Sequence, residues 1–113
     1  MNIIKTELPN TLLKIKTDLN RLDSSNAAIF KDELFKIIES GNTKLILDLN
    51  DISFIDSSGI GSIVATYKKI KPIGNLVIIT KSQSILTMLK LTRLDKVLTI
   101  VESDNIMDAI NFF

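Results

Sequence analysis

Two aliphatic runs of strand length, Leu45-Ile-Leu-Asp-Leu49 and Leu76-Val-Ile-Ile79, flank a segment whose apolar residues recur at helical spacing: Ile60, Ile63, Val64, Tyr67 and Ile70. A strand that is apolar at nearly every position is buried on both faces, as strands of a parallel sheet are. Parallel neighbours need a crossover, and the striped segment between the runs supplies a helical one. This succession confines the chain to the α/β class.

The alternation continues in both directions. Asn2 to Leu8 and Leu12 to Thr17 flank the turn dipeptide Pro9-Asn10 and read as an antiparallel hairpin. In the second of these strands Leu13, Ile15 and Thr17 alternate with Leu12, Lys14 and Lys16, the pattern of an edge strand with one wet face. Asp23, Ser24, Ser25 and Asn26 all suit a helix start, and the stripe Ala27, Phe30, Leu34, Ile37, Ile38 follows, closed by Gly41. After Lys44 to Leu49 come Ile52, Phe54 and Ile55, read as the rest of a buried central strand, and then a break at Asp56-Ser-Ser-Gly59 opens the striped helix. Pro72 and Gly74 end that helix. Ser82 precedes a third, carrying Ile85, Leu86 and Leu89. Val97 to Val101 reads as a short strand, and Ser103-Asp104 begins a last helix with Ile106, Met107 and Ile110. Met88 and Met107 are expected as core filler. The order β-β-α-β-α-β-α-β-α predicts one domain over residues 1–113. Its mixed, mostly parallel sheet carries an N-terminal antiparallel hairpin and about four helices.

Composition narrows the chemistry. Fourteen basic and thirteen acidic residues leave a formal charge of +1, no excess with which to neutralise phosphates, so no nucleic-acid partner is expected. With no cysteine and no histidine, disulfides, thiol redox chemistry, cysteine-containing zinc sites and Ser-His or Cys-His nucleophile pairs are excluded. No metal site, cofactor or catalytic residue is expected. Neither aliphatic run approaches the ~20 residues that cross a bilayer, and Met1 to Lys16 lacks a signal-peptide apolar run, so the expectation is a soluble cytoplasmic protein without a membrane partner.

One segment stands out, Ser53-Phe-Ile-Asp-Ser-Ser-Gly-Ile-Gly61, where a buried strand turns directly into a helix. In an open α/β sheet the crevice beyond the carboxyl ends of the strands is where ligands and partners bind, and a helix N-terminus there favours an anion. The same residues also serve as ordinary caps: Asp and Ser at an N-terminus are worth about 1 kcal/mol with no further role, and Gly59 and Gly61 permit close packing. No Gly-x-Ser-x-Gly elbow and no Gly-x4-Gly-Lys loop occurs, so an enzymatic or small-molecule-binding α/β domain is the weaker alternative.

From Leu45 to Gly61, through Tyr67-Lys-Lys-Ile70 and on to Leu89-Lys-Leu-Thr-Arg-Leu-Asp-Lys-Val97, the sequence resembles the STAS family, and within it the bacterial anti-sigma factor antagonists. The resemblance implies a STAS-like fold and a phospho-regulated, non-enzymatic binding module. It places Ser57 on the family's regulatory phosphorylation site, with Ser58 the adjacent unmodified hydroxyl and Asp56, Ser58, Gly59 and Ile60 as partner-binding surface. Asp23 corresponds to an acidic residue used for partner contact or phosphorylation, and equally suits a plain helix cap. The family's usual glycine nearby is Asn20 here, a residue tolerant of left-handed backbone, and an acidic neighbour is Arg21. The implied partners are an anti-sigma factor serine kinase (a histidine-kinase-like ATPase) and a metal-dependent serine phosphatase acting on phosphorylated Ser57. STAS subunits of lipid, transport or non-transcriptional signalling complexes are the alternative within the family.

Overall fold

A computed structural model describes Met1 to Phe113. The continuous aliphatic runs form the middle of a five-stranded sheet. Its strands are β1 (Ile3–Glu7), β2 (Leu13–Thr17), β4 (Lys44–Asp48), β6 (Asn75–Ile79) and β7 (Thr99–Val101), in the order β1-β2-β4-β6-β7. β1 and β2 pair antiparallel; every later pair is parallel. Two further strands, β3 (Arg21–Leu22) and β5 (Phe54–Ile55), form a separate parallel ladder joining Arg21 to Phe54 and Leu22 to Ile55.

Because β2, β4, β6 and β7 succeed one another across the sheet, right-handed crossovers place all their connecting helices on one face. Residues of α1 (Ala27–Glu39), α2 (Ser57–Ile70) and α3 (Gln83–Leu91) accordingly share a core with Leu13, Ile15, Leu45, Leu47, Leu76 and Ile78. The other face is covered only by α4 (Ile106–Ile110), whose Ala109 packs on Ile46, Val77 and Ile79. Beyond α4 that face carries ion pairs: Lys14 pairs with Asp48 at 3.8 Å and Lys16 with Asp51 at 2.9 Å, and the Asp51 bond holds the Lys16 ammonium above its usual value.

Three expectations change. β2 is not an edge strand. It lies second, between β1 and β4, and its lysines alternate with apolar residues because the α4 face of the sheet is open there. Phe54 and Ile55 do not continue β4, since the chain turns at Asn50-Asp51 and pairs them with β3 instead. Met107 is exposed at 56%, because α4 is short and rests on the sheet through Ala109. The expected end of α1 holds, with Gly41 at φ +107°, a conformation costly for other residues, immediately after the C-cap Ser40, whereas α4 starts later than Ser103-Asp104 and is capped by Asn105. None of the helices is long and apolar enough to cross a membrane.

Candidate functional site

The β5–α2 turn is built on the backbone of β3. The Asp56 N–H donates to the Leu22 carbonyl at 3.2 Å, and Leu22 itself is fully buried. Gly59 lies so close to that same carbonyl that a Cβ would sit 2.5 Å from the Leu22 oxygen and 2.6 Å from Ile55 Cγ1. Glycine is therefore required by the approach of the helix to the strand, not by backbone twist. Ile60, 8% exposed, joins the core beside it. The two residues thus face inward and fix the direction in which Ser57 and Ser58 point.

Asp56 is the N-cap of α2, its Oδ1 accepting from the Gly59 N–H at 3.0 Å. Its other oxygen accepts from the Ser24 N–H at 3.2 Å, so one carboxylate ties the start of α2 to the loop that leads into α1. Capping of this kind satisfies one of the four N–H groups a helix start leaves open. Ser57 and Ser58 are exposed in the first turn, and neither hydroxyl hydrogen-bonds to the rest of the chain. The α2 terminus therefore presents a free hydroxyl beside N–H groups that have no intrahelical partner, at the positive end of the helix dipole.

Asp23 stands in the neighbouring loop and does not cap α1 with its side chain. The N-cap there is Asn26, and the Asp23 carboxylate turns back on Ser25, accepting from its N–H at 3.0 Å and its hydroxyl at 2.5 Å. These bonds, led by the Ser25 hydroxyl and helped by Arg21 at 3.4 Å, hold the carboxyl below its usual value. Asn26 completes the turn, accepting from the Asp23 N–H and donating to the Arg21 carbonyl, both at 3.0 Å. Asn20 does not adopt left-handed backbone; its carbonyl instead accepts from the Ser53 N–H and hydroxyl, at 2.8 and 3.2 Å.

The structure thus brings Asp23, Asp56, Ser57 and Ser58 to one end of the α1–α2 pair, with Gly59 and Ile60 beneath. It adds roles for three residues that the sequence did not assign. Ser24 supplies the N–H that Asp56 captures; Arg21 lies 4.2 Å over the Phe54 ring; and Lys31 lines a groove of about 360 Å³ between α1 and α2. That groove is floored by Ala27, Ala28, Gly61 and Ala65 and opens beside Ser58. A contact such as Asp56 to Ser24, across 32 residues, has no local signal in the sequence.

Strand order, helix placement and this turn define an α/β domain that presents serines at a helix start, and the STAS domain family model matches residues 4–106. The chain belongs to the STAS domain family. A Thermotoga maritima protein named "Putative anti-sigma factor antagonist" is 31% identical over 84 residues, covering 73% of this chain and 74% of that one. A crystal structure of a protein so described from T. maritima superposes with a TM-score of 0.85 at 27% identity, over 96% of this chain and 92% of the other. The phosphorylated form of the Bacillus cell fate determinant SpoIIAA aligns with a TM-score of 0.70 over 96% of this chain and 99% of its own, and at 16% identity it shares the fold alone.

Proposed function

We propose that this protein is an anti-sigma factor antagonist whose docking is switched by phosphorylation of Ser57. In the unmodified state the end of the α1–α2 pair binds an anti-sigma factor that is itself a serine kinase, and a sigma factor is released. Phosphate transfer to Ser57 separates the complex, and a metal-dependent serine phosphatase restores it. No catalytic residue in this chain takes part. The observation that carries the reading is the state of Ser57: exposed, in the first turn of α2, with a hydroxyl that no bond within the fold consumes.

The magnitudes fit a switch that needs no refolding. A phosphoserine adds about two negative charges. At the start of α2 they meet the helix dipole, a contact worth up to about 1 kcal/mol, so the modified chain keeps its fold. Across an interface shaped for a neutral hydroxyl, one like-charge contact at ~5 Å and an effective dielectric of ~20 costs about 3 kcal/mol, roughly a hundredfold in affinity.

Calorimetry with the cognate anti-sigma kinase tests this. Ser57→Ala is expected to bind as the unmodified chain does and to keep binding after incubation with ATP, with no phosphate in its intact mass. Ser57→Asp is expected to bind about a hundredfold more weakly while remaining folded. A phosphate still appearing on Ser57→Ala would remove this serine from the mechanism.

A further inference from the structure

One edge of the sheet is β1, and the other is β7. The register of β1 on β2 is clamped at both ends. Asn2 gives its N–H and side-chain amide to the Asp18 carboxylate at 2.9 and 3.0 Å, while its carbonyl accepts from the Asp18 N–H at 3.2 Å. At the other end the Leu8 N–H donates to the Leu12 carbonyl at 2.9 Å. In an antiparallel ladder the bonding residues alternate, so Asn2, Ile4, Thr6 and Leu8 direct their backbone groups at β2. The N–H and C=O groups of Ile3, Lys5 and Glu7 therefore point away from the sheet, along a strand exposed from Ile4 to Glu7.

Lysine on an edge strand ordinarily deters pairing. Here Lys5 is followed two residues on by Glu7, on the same face, and neither has an ion-pair partner within the chain. We propose that β1 pairs antiparallel with β1 of a second copy of this chain, about a two-fold axis at Thr6, giving a dimer with one continuous sheet. Symmetry restricts the choices. Two identical antiparallel strands must place the axis through a residue pair, because adjacent pairs alternate in type and cannot be related to each other. An axis at Lys5 sets like charges face to face. One at Ile4 leaves both Glu7 side chains without a partner. An axis at Thr6 sets each Lys5 opposite Glu7 of the other copy in a bonded pair, with Cβ atoms roughly 5.5 Å apart, and uses the outward-pointing backbone groups of both. It also places Thr6 against Thr6 and the exposed Ile4 against Leu8 on the opposite face. Lys5 has room to adjust, since it lines an open groove of about 530 Å³ between β1 and α1. Pro9, which would oppose Ile3, has no N–H to donate, and the 3-10 turn Pro9–Thr11 that begins there ends the strand and with it the pairing.

Sedimentation equilibrium on the full chain tests the proposal by charge reversal. The unmodified protein is expected to show a concentration-dependent dimer that weakens with added salt. Lys5→Glu and Glu7→Lys, at exposed positions that leave the fold intact, are each expected to weaken it about tenfold or more, and the double variant to restore it. Amide exchange reports the register: on dimerisation the Lys5 and Glu7 amides slow while Ile3 does not. A monomer at all concentrations, single variants that dimerise like the parent, or a double variant as weak as the singles would each overturn the proposal. Protection spreading to Ile3 would overturn the axis at Thr6.

Discussion

The tripeptide Asp-Ser-Ser occurs twice in this chain, at Asp23 to Ser25 and at Asp56 to Ser58, each time just ahead of a helix that faces the other. The two copies fold differently. At Asp56 the helix begins with the next residue and the carboxylate caps it. At Asp23 the helix waits until Ala27, and the carboxylate is spent on Ser25. The fourth residue decides. Gly59 lets the backbone of α2 settle against the Leu22 carbonyl, so the helix starts beside its cap. Asn26 uses its own amide to bridge Asp23 and Arg21, closing a turn first. The first copy thereby consumes the hydroxyl of its second serine, Ser25, whereas at the start of α2 neither Ser57 nor Ser58 is engaged.

Removing the feature that separates the two copies has the largest expected effect on stability. Gly59→Ala pushes a methyl group into backbone on β3 and into Ile55, and overpacking of that kind costs about 1–3 kcal/mol. The gain in helix propensity, up to about 1 kcal/mol, does not offset it. Gly61 is the internal control. It lies two residues on in the same helix, and a Cβ there meets nothing within 4 Å. Gly61→Ala is therefore expected to stabilise by up to about 1 kcal/mol. Urea denaturation of both variants reads the difference; equal midpoints would mean that the close approach to Leu22 does not seat the helix.

The carboxylates come next. Asp56 accepts from two N–H groups on two different segments, so Asp56→Ala is expected to cost about 1–2 kcal/mol, the range for a lost cap. The Asp23 carboxylate is engaged only within its own turn, by Ser25 and Arg21, and Asp23→Ala is expected to cost less. Denaturation midpoints of the pair test the order. Asp23→Ala falling further than Asp56→Ala would reverse the roles assigned to the two copies.

Sequence periodicity exposed the parts of this molecule that burial dictates. Ile46 and Val77 could only belong to strands covered on both sides, and Phe30, Leu34 and Ile37 to one face of a helix. What it concealed depends on contacts between distant segments. The wet lysines of β2 suggested an edge, yet a bare sheet face gives the same alternation, and only the one-sided stacking of three helices distinguishes the two. Strands of two residues such as β3 and β5 have no period to detect. At the turn, the exposure of Ser57 at a helix start was legible from Asp56 and Gly59. The bond from Ser24 to Asp56 was not, because nothing near either residue announces the other.

The smallest expected effect lies in the pH response of the first copy, and it isolates the hydroxyl that the second copy leaves free. The Ser25 hydroxyl, with its N–H and Arg21, lowers the Asp23 carboxyl below its ordinary 3.8. A carboxyl lowered on folding favours the folded turn wherever it is ionised. Its contribution is complete above pH 3.8 and is lost as the pH falls through the lower, folded value. In a titration followed by the amide resonance of Ser25, the midpoint is expected below 3.8. Ser25→Ala removes the leading cause and is expected to move the midpoint upward, while Ser57→Ala leaves it in place. A midpoint at the ordinary carboxylate value in the unmodified chain, or one that follows Ser57 instead of Ser25, would erase the distinction between a serine bound into its turn and one that is not.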